Sequence, residues 1–207
     1  MNRREFLGAM AGAAVQVQSP RRISIEPGGD ESFQRRLAHN ELLRGLHRLG
    51  FGTEERAGTG ILNFAFRVEP GRFKNPEAYS ISALAGGLAT LTGGSGQALL
   101  YAVLEFLEKQ GAFFGIDGES YPLDPPRALV LPKNGQSWHS TPRFAVRGLL
   151  PWPDFLNCIT VYNEDDFRAY FESMLRMRFN TFGMHVYTGA NQWAESYLSF
   201  EYGGVGH

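Results

Sequence analysis

The residues best placed to do chemistry early in this chain are Gly93, Gly94, Ser95 and Gly96, inside "LTGGSGQALLYAVLEFLEKQG" (Leu91–Gly111). A glycine turn that opens an apolar helix can cradle a phosphate or present a nucleophilic serine. A P-loop requires Lys and then Ser or Thr after its last glycine, whereas Gly96 is followed by Gln97 and Ala98. A dinucleotide fingerprint requires a small residue three places after its second glycine, where Leu99 stands. A nucleophile elbow requires glycine two residues to each side of its serine. Gly93 satisfies this for Ser95, and Gln97 does not. Each template fails at one required residue, so the expectation is a structural strand-to-helix turn.

Metal and cofactor chemistry find no better footing. The 5 histidines are scattered, without an HExxH motif or any paired spacing. The single cysteine, Cys158, excludes an intrachain disulfide and leaves little basis for a thiolate site. No metal and no cofactor is expected. A net charge of -1 with interspersed signs provides no basic stripe for nucleic acid. No apolar run reaches the length of a membrane span. The 207 residues are 43% hydrophobic, which suffices for a globular core.

The elements that must position any site follow from local patterns. "RRISIEP" alternates, so Ile23 and Ile25 share one face of a short strand before Pro27 and Gly28. A helix is expected from about Glu31 to Leu49, capped by Asp30 or Ser32 and stopped by Gly50. "ILNFAFRVE", "AYSISAL" and Leu88–Thr92 read as strands. After the glycine turn, Ala98, Leu99, Ala102, Val103, Phe106 and Leu107 form one wide apolar helix face. Tyr121–Pro142, with five prolines, reads as a linker that contains one strand at Ala128–Leu131.

The pattern then changes. "FAVRGLL" is a short apolar strand, "PWPDFLNCITVY" a loop, and "NEDDFRAYFESMLRMRF" a helix with Asn163 as cap and Asp166 three places later. "TFGMHVY" is the next strand, which makes a βαβ unit. Two parallel strands and one helix cannot close a core, since a (β/α)8 barrel takes typically about 250 residues. Either the chain is a C-terminally truncated fragment, which is the expectation here, or its C-terminal part is a small open unit.

The N-terminus, "MNRREFLGAMAGAAV", places Arg3 and Arg4 before Phe6, Leu7 and a small-residue apolar run. This looks like a twin-arginine export signal, with Ala11-Gly12-Ala13 as a cleavage pattern. On this reading residues up to about Gln18 are removed, and the protein is periplasmic or extracellular. The plainer alternative is a frayed basic terminus.

Together the two halves resemble exo-acting glycoside hydrolases that place a small α/β domain before a catalytic barrel, such as family 20 β-hexosaminidases and family 67 α-glucuronidases. "EAYSI", the glycine turn, "ALLYAVLEFLEKQG" and the proline-rich exit carry the first part of the resemblance. "PRFAVRG" is similar to the first barrel strand of family 20, whose arginine binds sugar hydroxyls; the match falls on Arg147. "MLRMRFNTFGMHVY" is similar to the second strand, with matches at Asn180 and His185. Val186, Tyr187 and Thr188 depart from the acidic stretch usual there, and "PWPDFLN" departs from the family pattern after the first strand. With the export pattern giving residues 1–18 as a leader and the proline-rich stretch 121–142 as a linker, the resemblance implies an α/β fold: 21–120 as a non-catalytic α+β domain and 143–207 as the incomplete start of a barrel.

In such barrels chemistry gathers at the C-terminal strand ends. The sugar-binding candidates are Arg147, Trp152, Asp154 and His185, whose donors, acceptors and flat apolar surface suit a sugar ring. Each has a plainer alternative: a salt-bridge partner at the barrel bottom for Arg147, rim cover for Trp152, a turn cap for Asp154 and a core histidine for His185. Asn157, Tyr187, Trp193 and Glu195 lie near the same strand ends, and Asp154 with Glu195 is a remote candidate for a hydrolytic pair. The resemblance places the catalytic carboxylates on later strands, outside this chain. The expected function is the N-terminal part of an exported glycosidase that removes a terminal hexosamine or glucuronic acid from a glycan. The alternative is a secreted, non-catalytic carbohydrate-binding protein.

Overall fold

Alternation and β-branched content place strands where the sequence suggests, and the pairings build them into a mixed sheet. The computed structural model describes residues 14–18, 23–26, 32–54, 62–151, 159 and 162–183. These fall into two compact units, one within Met1–Phe113 and Ser120–Arg143, the other within Phe114–Glu119 and Phe144–His207.

In the first unit the chain runs through β1 (Ala14–Gln18), β2 (Ile23–Ile25), α1 (Phe33–Arg48), β3 (Thr53–Glu54), β4 (Leu62–Val68), β5 (Tyr79–Leu84), β6 (Leu88–Gly93) and α2 (Gly96–Lys109). The chain then forms the hairpin of β7 (Phe113–Gly115) and β8 (Gly118–Ser120), of which Phe114–Glu119 belongs to the second unit, and returns to the first unit with β9 (Ala128–Pro132) and β10 (Ser137–Ser140). Six strands pair in the order β10-β5-β6-β4-β2-β3. β6, β4, β2 and β3 are mutually parallel, and β5 runs antiparallel to both β6 and β10. α1 and α2 pack on each other, and α2 packs on β4, β5 and β6. Phe64 of β4 meets Phe106 of α2 edge to face at 5.1 Å. Gly45 lets the helices approach closely, since a Cβ there would lie 2.4 Å from Leu107 Cδ2. Ile23, Phe64, Phe66, Leu91, Tyr101 and Phe106 are fully buried. Removing such apolar area from water is the main favourable term.

The helix ends show why the sequence stops them where it does. At α1, Phe51 N–H donates to Leu46 O and Gly50 N–H to His47 O; at α2, Ala112 N–H donates to Leu107 O and Gly111 N–H to Glu108 O. This paired pattern requires a left-handed residue after the cap. Gly50 and Gly111 supply it, with φ of 82° and 99°.

The stretch Tyr121–Pro142, expected as a linker, contributes more than one strand. β9 pairs with β1 antiparallel, in register from Ala14↔Pro132 to Gln18↔Ala128. β10 forms the sheet edge, with Trp138 opposite Ile81. Prolines bracket these strands and stay out of their interiors, except for Pro132 at the end of β9. Lys109 Nζ lies 5.6 Å from the centroid of the Trp138 ring, a cation–π contact that helps to cover the edge. The β7–β8 hairpin was also unexpected, although Asp117-Gly118 is a turn signal.

The second unit contains β11 (Gly148–Leu149), α3 (Glu164–Arg176) and β12 (Thr181–Phe182). β11 and β12 are parallel neighbours, so the expected βαβ order is present. Asn163 and Asp166 form a complete capping box, and Glu164, Asp165 and Asp166 place negative charge at the positive end of the helix.

Candidate functional site

The glycine turn is settled by its packing. A Cβ on Gly93 would lie 2.3 Å from Leu99 N, and one on Gly94 would lie 2.9 Å from Pro76 O. The turn's polar groups are used internally. Gly94 N–H donates to Ala78 O, Ser95 Oγ accepts from Ala98 N–H at 3.2 Å, and Leu99 N–H donates to Ser95 O. The glycines therefore serve close approach and helix capping.

Of the sugar-binding candidates, Arg147 lies in the described residues. Trp152, Asp154 and His185 lie outside them, as do Asn157, Tyr187, Trp193 and Glu195. Arg147 sits immediately before β11. Its Nε donates to Arg178 O at 2.9 Å and its Nη1 to Phe144 O at 2.6 Å. Both carbonyls belong to segments that lead into the strands, so the guanidinium ties together the entries of β11 and β12. Asn180 adds a second tie: its Oδ1 accepts from Arg147 N–H at 2.9 Å and its Nδ2 donates to Ala145 O at 2.8 Å. Arg147 O accepts from the backbone N–H groups of Asn180 and Thr181. Gly148 permits this closeness, because a Cβ there would lie 2.3 Å from Thr181 O.

Arg178 belongs to the same arrangement. It ends α3 in the pattern seen at the other helices, with Phe179 N–H donating to Met174 O and Arg178 N–H to Leu175 O. Here the left-handed position holds an arginine, with φ of 63°. No glycine or asparagine announces this turn, so sequence reasoning had no signal for it.

The second unit also has an open cleft of about 270 Å³, lined by the Asp117-Gly118 turn and by Tyr162, Asp166, Tyr170 and Ser173. Asp166 is engaged in the capping box through Asn163 N–H. Tyr170 belongs to an aromatic cluster with Tyr162, Phe171 and Phe182. Burial, and after it the neighbouring Tyr162, push the Tyr170 phenol above its ordinary pKa. Among the described residues no group of His, Cys, Asp and Glu side chains is arranged to hold a metal. No described helix is long and apolar enough to cross a membrane.

This architecture is similar to that of solved glycoside hydrolases. A family 115 4-O-methyl-α-glucuronidase with specificity for decorated arabinogalactans matches with a TM-score of 0.56 at 17% identity, covering 81% of this chain and 25% of that one. A family 138 enzyme that targets the pectin rhamnogalacturonan II matches with 0.55 at 16% identity, over 79% of this chain and 18% of that one. The Streptomyces plicatus N-acetyl-β-hexosaminidase matches with 0.53 at 18% identity, over 85% and 32%. The chain thus has a glycoside hydrolase-like α/β fold, and it spans between 18% and 32% of the length of these structures. No family profile and no curated protein matches its sequence.

Proposed function

We propose that this chain is the N-terminal part of an exported, exo-acting glycoside hydrolase, composed of an accessory α/β domain and the first βαβ unit of a catalytic (β/α)8 barrel. The observation that carries the reading is the parallel pairing of β11 with β12 across α3, following a mixed-sheet unit. The fold as a whole is similar to structures whose own names describe glycosidases, which supports the reading. Trp152, Asp154 and His185 are assigned to the sugar pocket at the strand exits, where barrel enzymes place their chemistry. Arg147, the fourth sugar-binding candidate, is assigned a positioning role as well: its bonds to Arg178 O and Phe144 O join the two strand entries. The acid and base belong to later strands of a longer protein, and the substrate is a glycan that ends in a hexosamine or a glucuronic acid. The arginine pair Arg3-Arg4 with the apolar run after it supports export.

The test is hydrolysis of chromogenic hexosaminides and glucuronides by the complete protein, beside sugar binding by Trp152→Ala. Release of chromophore supports the enzyme reading. Binding without hydrolysis of any glycoside replaces it with a non-catalytic carbohydrate-binding protein. Unchanged binding and folding in Trp152→Ala removes that residue from the pocket.

A further inference from the structure

The sequence just before the described strand β1 carries the small-residue pattern of the export reading. Ala11-Gly12-Ala13 places small residues at the third and first positions before a bond of the kind that signal peptidases cut. β1 begins at the next residue, Ala14.

The backbone of β1 belongs to the fold because of what it does for β9. The two edges of a strand alternate, so neighbouring residues present their N–H and C=O groups to opposite sides. At Val130 both groups are taken by one side chain: Gln110 Oε1 accepts from Val130 N–H at 2.7 Å, and Gln110 Nε2 donates to Val130 O at 3.0 Å. Gln110 thereby acts as a one-residue strand on that edge. The polar groups of Leu129 and Leu131 face the other edge, where β1 lies in register at Val17 and Val15. Leu129 and Leu131 are 0% and 3% exposed. Loss of residues through Gln18 would leave this edge of a buried strand without its ladder, at a position where unpaired backbone groups are costly.

We propose that the Ala13–Ala14 peptide bond is the processing site and that β1 remains as the first strand of the exported protein. Hydrolysis adds one water across the amide. The carboxylate stays on Ala13 of the released leader and the amino group on Ala14. The proposal rests on the export reading above, and it places the cut upstream of the boundary near Gln18 that the sequence suggests.

The experiment expresses the full 207-residue chain in a bacterium with a twin-arginine pathway and measures intact mass and N-terminal sequence in the periplasm and cytoplasm. The expected periplasmic species begins at Ala14, and Ala13→Phe abolishes it. A chain begun at Ser19 is compared by amide exchange, with Leu129 and Leu131 expected to exchange at least about tenfold faster. A periplasmic N-terminus at or beyond Ser19, or unchanged protection of those two amides in the shortened chain, overturns the proposal while leaving export intact. Full-length chain confined to the cytoplasm, with no change on replacing Arg3 and Arg4 by lysine, overturns the export reading itself.

Discussion

Arg147 Nε donates to the carbonyl of Arg178 at 2.9 Å, and Arg178 is the left-handed residue, φ 63°, that ends α3. One arginine reads the backbone of another. The helix end and the strand entry are thereby fixed by a single contact, supplemented by the Nη1 bond to Phe144 O. Two bonds from a rigid planar donor carry geometry that a lysine ammonium does not reproduce. Arg147→Lys is therefore expected to destabilise the second unit by about 1–2 kcal/mol, and Arg147→Ala by no less. Urea unfolding followed through the aromatic cluster of Tyr162, Tyr170 and Phe182 measures this. Unchanged stability in both variants would remove the positioning role.

Arg178 itself offers a cleaner comparison. Arg178 has interactions of its own, so truncation has a mixed effect. Arg178→Ala and Arg178→Gly both lose that side chain, and only the glycine is free of Cβ strain at positive φ. Arg178→Gly is expected to be more stable than Arg178→Ala by about 1 kcal/mol, read from the difference between their unfolding midpoints. Equal stabilities would mean that the turn opens in solution.

At the glycine turn the expectation is steric. Gly93→Ala places a methyl 2.3 Å from Leu99 N and 2.6 Å from Ser95 O, both backbone atoms that cannot move aside cheaply. A loss of at least about 2 kcal/mol is expected, in the range of overpacked sites. A melting curve is the measurement, and a variant as stable as the parent would show that the turn has room.

These contacts also explain what the sequence made legible. The Asn163–Asp166 capping box and the glycine stops at Gly50 and Gly111 are local signals, and each is found where its residues predict it. The α2 face from Ala98 to Leu107 was readable for the same reason: helical periodicity is contained within one segment. β10 was not readable, because Ser137–Ser140 becomes a strand only by pairing with Tyr79–Ser82, far away in sequence. The site was less legible still. Arg147 was singled out for its position, yet the bonds described for its guanidinium go to carbonyls, which every residue carries and no motif marks. Trp152, Asp154 and His185 lie outside the described residues and remain sequence-based assignments.

Gln110 is a buried polar side chain fully engaged with backbone, bonding Phe106 O as well as both groups of Val130. Gln110→Met keeps the approximate shape and removes every bond. It leaves the half-buried Val130 N–H without its partner, so a loss of about 1 kcal/mol is expected. Amide exchange at Val130 should rise with it. Exchange that stays slow in the variant would mean that another group replaces Gln110 on that edge of β9.

Tyr170 gives a prediction against pH. Its phenol titrates above the ordinary value of 10.0, chiefly through burial and secondarily through Tyr162. The folded state thus holds this proton more tightly than the unfolded chain does. The stabilisation is fully present below pH about 10, and it disappears as pH rises through the folded value, because ionising the phenol becomes a route to unfolding. Ultraviolet titration of the parent should show a late-ionising tyrosine that Tyr170→Phe removes. The same variant should flatten the fall of stability above pH about 10, where unfolding midpoints of the two proteins are compared. Identical pH dependence in the parent and the variant would mean that the aromatic cluster around Phe171 and Phe182 leaves the Tyr170 hydroxyl as well hydrated in the fold as in the unfolded chain.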